Sequence, residues 1–164
     1  MSDVRDFLVW AEGTALGHFM RESGPWTYAA VNTSHILGVA ALFGAILVLD
    51  LRLLGVGRRV PLAALASATI PVAVVGFVIA AATGSALLAT KATAYVGNPF
   101  LLIKFPAIVL GLINAGVLSL TPAWRARATR ELSGGEQRQL AVMGGISFVS
   151  WLTAVSAGRM IGYW

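Results

Sequence analysis

The sequence contains no cysteine, so no disulfide framework, thiolate metal site or iron–sulfur cluster can be built from it. Imidazole, carboxylate and thioether remain as possible ligands. Charge is scarce as well. Asp, Glu, Lys and Arg make up 12% of the 164 residues, where a soluble domain carries roughly a quarter. Histidine occurs at His18 and His35 only, without the i, i+4 spacing of a zinc-binding helix. No serine is matched with a histidine and a carboxylate in a hydrolytic pattern, so an enzyme acting alone is not expected. The N-terminus lacks the basic start and long apolar core of a cleavable signal. It offers only Phe7 to Ala11 among Asp3, Asp6 and Glu12, and the first residues are expected to stay on the mature protein.

What is abundant is apolar. Hydrophobic residues make up 57% of the chain, and the mean hydropathy is +0.79, which makes lipid the expected solvent for most of it. The net charge of +5 would suggest nucleic acid in a soluble protein. Here the arginines sit between apolar runs, where they orient helices in a bilayer, so nucleic acid is excluded as a partner. A hydrocarbon core about 30 Å thick is spanned by roughly 20 apolar residues, and four stretches qualify, at about 26–50, 62–90, 99–122 and 138–162. The expected fold is therefore all-α, a single membrane domain forming an integral membrane four-helix bundle. Pro71 is expected to kink the second crossing.

The links between crossings set the orientation. Arg52, Arg58, Arg59, Arg125, Arg127, Arg130 and Arg138 fall on one side, and Arg5, Arg21, Lys91, Lys104 and Arg159 on the other. The side richer in arginine is expected to be cytoplasmic, with both termini outside. Residues 3–22 are too polar to span, yet Val4, Phe7, Leu8, Ala11, Ala15 and Phe19 share one helical face, opposite Arg5 and Asp6. This predicts an interfacial amphipathic helix with Ser2 as its N-cap, which Gly13 and Gly17 are placed to break.

One motif is rejected on context. Leu132-Ser133-Gly134-Gly135-Glu136-Gln137-Arg138 looks like the signature loop of ABC-transporter ATPases. The chain has no G-x-x-x-x-G-K-[ST] phosphate loop and no room for an α/β core, so nucleotide is excluded as a partner. The same residues read instead as an S-x-x-E capping box, Ser133 with Glu136, starting the fourth crossing.

Each polar group inside a bilayer calls for a partner or a function. Asp50 and Arg52 end the first crossing, with Asp50 expected to pair with Arg58 or Arg59 as an orientation anchor. Asn114 is expected to bridge to Ser147, Ser150 or Thr153 as interhelical glue. The outer half is richer. His35 lies about 14 Å inside the first crossing, by rise per residue, with Asn32 one turn further out, and with Lys104, Arg159, Thr83 and Ser85 at comparable depth. This set matches a b-type haem, with the imidazole of His35 on iron and Lys104 or Arg159 near the propionates. Gly38 would leave room for the macrocycle, and His18, Met160 or no protein group would take the second axial position. By type His35 is also a metal ligand or proton carrier, or a structural histidine bonded to Asn32, Ser34 or a neighbouring helix.

His35-Ile36-Leu37-Gly38, the run Gly44 to Gly55 containing Asp50-Leu51-Arg52-Leu53-Leu54-Gly55, Asn98-Pro99-Phe100 with Lys104, Asn114, and Gly158 to Tyr163 together resemble a family of uncharacterised bacterial membrane proteins known only as a domain of unknown function. That family is similar to the copper-resistance D-type helical bundles. The resemblance runs from about Trp10 to Tyr163 and implies four crossings and a bacterial inner membrane. It marks His35, Asp50, Arg52, Asn98, Pro99, Lys104, Asn114 and Arg159 as motif positions. Such relatives often carry another histidine after the third-crossing asparagine, where this chain has Leu118 and Ser119, so the resemblance supplies no two-histidine site. Three functions remain open: a haem b electron-transfer subunit with a membrane redox partner, a small transporter or metal-handling protein, and a scaffold or oligomer assembling through small-residue faces.

Overall fold

The computed structural model describes residues 2–164, Ser2 through its backbone alone. Two short helices, α1 (Ser2–Glu12) and α2 (Ala15–Glu22), precede the long ones. Then come α3 (Gly24–Leu53), α4 (Leu62–Thr90), a 3-10 turn (Ala92–Tyr95), α5 (Pro99–Leu120), the short α6 (Pro122–Ala126), α7 (Gly134–Met160) and a closing 3-10 turn (Ile161–Tyr163). Helices α3, α4, α5 and α7 are each long and apolar enough to cross a membrane, which makes the chain an all-α, multi-pass four-helix bundle. α4 runs unbroken through Pro71, and α5 through Pro106. Their outward faces, such as Val72, Val75 and Val78 on α4 and Leu102, Val109 and Ile113 on α5, are bare large apolar side chains, as expected where the solvent is hydrocarbon.

The helices pair unequally. α3 lies along α4 and α5 along α7, while α3 against α7 joins the two pairs. The α3–α4 contact is made by backbone. A Cβ on Gly76 would stand 2.5 Å from the amide nitrogen of Leu42 and 2.8 Å from the carbonyl of Gly38; one on Gly38 would stand 2.9 Å from the nitrogen of Ala80. Without a water-driven hydrophobic effect between helices in lipid, this close van der Waals approach is the main source of association. The position a Gly38 side chain would take is therefore occupied by α4 itself, so this glycine serves the α3–α4 contact.

At the arginine-rich end, Leu53, Ala66, Leu118, Ala123, Trp124, Leu140 and Met143 form one cluster drawing on all four spans. α7 starts there on the expected capping box: Ser133 accepts from the Glu136 amide at 3.3 Å, and the Ser133 amide donates to Glu136 Oε2 at 2.8 Å. Arg130 adds a bidentate fork onto Glu136, at 2.8 and 2.6 Å, which the sequence reading missed.

The opposite end is closed by α1 and α2. The expected single helix over residues 3–22 is broken at Gly13, and Thr14 caps α2 by accepting from the Gly17 amide at 3.3 Å. The side chain of Ser2, the expected N-cap, lies outside the described residues. Gly17 is no breaker. A Cβ there would come within 2.4 Å of the Glu12 carbonyl and 2.9 Å of the Ala89 carbonyl, so glycine lets α2 rest on the end of α4. Leu8 and Ala11 turn inward onto Ala92 and Leu88, leaving Val4, Phe7, Trp10 and Phe19 exposed. Arg21 donates to the Glu12 carbonyl at 3.0 Å and to those of Ala89 and Thr90 at 3.4 and 3.5 Å. It thus binds the negative carbonyl ends of α1 and α4 together. Glu12 in turn accepts from the amide and hydroxyl of Thr93 at 2.7 and 2.6 Å.

Two outcomes follow. Gly76→Leu forces α3 and α4 apart and should lower unfolding stability in detergent by about 1–3 kcal/mol, the usual range for overpacking; an unchanged melting curve would contradict the backbone contact. The bonds from Thr93, chiefly from its hydroxyl, hold the Glu12 carboxyl below its ordinary value of 4.5. The clasp is therefore at full strength above that pH and weakens as pH falls through the lower folded value. Protection of the amides in residues 2–22, taken relative to their intrinsic exchange rate at each pH, should fall in that acidic window, and Glu12→Gln should remove this response.

Candidate functional site

A pair of aromatic rings marks the middle of the bundle. Phe77 of α4 and Trp151 of α7 meet edge to face, with centroids 6.3 Å apart. Trp151 also lies against Gly111 of α5, where a Cβ would stand 2.9 Å from its ring. Away from the arginine-rich end, Thr83 is six residues along α4, Lys104 seven residues back along α5 and Gly158 seven along α7. At 1.5 Å per residue all three stand about 9–11 Å above the rings. His35 of α3 joins this layer, since its Cε1 would lie 2.9 Å from a Cβ on Gly84. The expected polar layer in one half of the bundle therefore contains His35, Thr83 and Lys104.

His35 is half-buried, its ring laid in the slot that Gly84 leaves empty. Nδ1 is 3.1 Å from Thr83 Oγ1. The Thr83 hydroxyl spends its single proton on the Ile79 carbonyl at 2.6 Å, so it receives a hydrogen bond from the ring rather than giving one. With Thr83 as acceptor, Nδ1 carries the proton of the neutral imidazole, and the Ala80 backbone is a second hydrogen-bond partner of the ring. Of the partners expected for a structural histidine, the one used is a neighbouring helix, through Thr83 of α4, and not Asn32 or Ser34, whose hydroxyl donates to the Ala30 carbonyl at 2.9 Å.

Lys104 is half-buried, and its aliphatic stem crosses Gly158, where a Cβ would be 3.4 Å from Nζ. It forms no ion pair among the described residues and lies within electrostatic reach of His35. The other candidates are not drawn in. Arg159 is exposed and folds onto Tyr163, its guanidinium 4.7 Å from the ring centre and bonded to the phenol oxygen. Asn32 is half-buried one turn outward. His18 is exposed on α2, over the end of α4, and Met160 is exposed at the end of α7, so neither shares the slot of His35. No group of three or more His, Asp or Glu side chains able to hold a metal occurs among the described residues.

Asn98, Asn114 and Arg52 make local and interhelical hydrogen bonds. Asn98, 1% exposed, caps α5 by accepting from the Phe100 amide at 2.9 Å, with Pro99 at the first helical position. Asn114 reaches α7 as expected, but through the Met143 carbonyl at 3.0 Å and not through Ser147, Ser150 or Thr153. A helix carbonyl keeps a second lone pair, and Ser150 already donates to Ile146 at 2.7 Å. Arg52 donates to the Val60 and Arg58 carbonyls at 2.7 and 3.3 Å and so ties down the α3–α4 turn. The groove of about 680 Å³ between α3 and α4 is lined by Leu37, Gly38, Pro71, Val75 and Ile79 and lies on the outward face, apart from His35. In comparison with known proteins, the chain matches no family model, no curated protein and no solved structure.

The Thr83 contact is open to test. In Thr83→Val the ring loses its side-chain acceptor, and the nitrogen NMR signals of His35 should shift while the helical content stays constant. Unchanged signals would show that Thr83 does not hold the ring.

Proposed function

We propose that the chain is a non-enzymatic membrane subunit that holds a b-type haem through His35 and passes electrons to a membrane partner. One observation carries this reading: His35 offers a lone pair on Nε2, with Nδ1–H tied to Thr83. A fixed second nitrogen is the usual arrangement for an imidazole that ligates metal, because it sets both tautomer and ring direction. When bound, the haem would supply one-electron chemistry. Thr83 would hold the ring, Gly84 would give it a slot, and Lys104, a cation without a counter-ion in the same layer, would receive a propionate.

In the same reading the arginine-rich end faces the cytoplasm, both termini lie outside, and the membrane is a bacterial inner membrane. The likeness to the family of unknown function, itself similar to copper-resistance D-type bundles, favours this placement. The experiment is an absorption spectrum of the purified protein, oxidised and reduced, after expression with ample haem. A haem spectrum that disappears in His35→Ala and persists in His18→Ala is expected. Absence of any haem absorbance in the native protein would remove the proposal.

A further inference from the structure

Asp50 stands apart from the layer of His35. It lies near the end of α3, on the arginine-rich side, 2% exposed, and its Oδ2 has no hydrogen-bond partner. α7 presses on this turn: a Cβ on Gly144 would stand 2.8 Å from Leu53 Cβ and 3.3 Å from the Asp50 carbonyl. Ser147, one turn further along α7, brings its hydroxyl to the carboxyl.

The ion pair expected with Arg58 or Arg59 is not formed. Among the described residues the single salt bridge joins Arg130 to Glu136. Arg52 is held by the Val60 and Arg58 carbonyls, and Arg58 folds back over Gly55. Arg127 stacks 4.0 Å above the Trp124 ring and donates to the Trp124 carbonyl at 2.5 Å. Arg59, Arg125 and Arg138 are exposed. From the packed elements, α4 carries no charged residue, α5 carries only Lys104 at the far end, and the charges of α7 are Glu136 and Arg138 at its start and Arg159 at its end. Asp50 thus faces Gly144 and Ser147, and no cation.

A sealed carboxylate oxygen with neither hydrogen bond nor counter-charge is costly, and it is relieved by gaining a cation or a proton. One free carboxylate oxygen and one hydroxyl fall short of the oxygen shell that a hard metal cation requires. A proton requires a single acceptor.

We propose that Asp50 is an exchangeable proton site opening to the arginine-rich face. Oδ2 takes a proton from hydronium on that side, one O–H bond forming as one O–H bond of hydronium breaks to leave water, and returns it to water on the same side, with Ser147 beside the carboxyl. The site does not depend on haem, so loss of one reading leaves the other standing.

The test is infrared spectroscopy of the full-length protein, labelled with carboxyl-13C aspartate, in lipid vesicles titrated with pH in H2O and D2O. The expected result is a protonated-carboxyl band that shifts in D2O, comes and goes with pH, and is missing in Asp50→Asn. A band absent at every pH, or one insensitive to both pH and D2O, overturns the proposal. Should Asp50→Asn fail to fold by circular dichroism, Ser147→Ala decides: a moved titration midpoint supports the site, and an unchanged band and midpoint overturn it.

Discussion

The backbone contact between α3 and α4 is the constraint on which the rest of the molecule depends. In hydrocarbon, apolar side chains gain little by leaving lipid for protein, so two helices stay together only where their atoms come very close. Gly38 and Gly76 remove the side chains that would prevent this. Once the helices are fixed at that spacing, Gly84 lies opposite His35 one further step along the contact, and the imidazole has a slot and a hydroxyl in reach. The histidine is thus positioned by the same small-residue periodicity that holds the pair together.

The two ends are closed by different physics. At the arginine-rich end, apolar residues from every span converge, and a capping box with an Arg130 fork starts α7. At the other end, hydrogen bonds do the closing: Arg21 spans the carbonyl ends of two helices and Glu12 holds Thr93. Those carbonyls are the orphan groups that every helix terminus leaves, and a guanidinium satisfies two of them at once. This explains why a polar N-terminal segment folds onto the bundle while keeping Phe7, Trp10 and Phe19 free to meet the membrane surface.

Much of the fold was legible from residue order. Apolar run length located the spans, and Ser133 and Glu136 announced the start of α7. The candidate site was legible only by depth. His35, Thr83 and Lys104 could be ranked by distance along their helices, but which face of each helix meets which neighbour was not readable when all four spans are apolar nearly all round. For that reason Gly38 was expected to make room for a ligand when it makes room for α4. Asp50 went unrecognised as isolated because Arg58 and Arg59 are close in sequence; the turn carries them elsewhere.

By itself the sequence determined that this chain needs lipid, that it forms four spans, and that its ionisable groups collect in a few places, because hydropathy and charge are properties of local segments. Tertiary structure decided the partners. It gave His35 the hydroxyl of Thr83, left Lys104 without an ion pair among the described residues, and sealed Asp50 against α7, because those relations arise from the angle and rotation at which helices pack and no single helix encodes them.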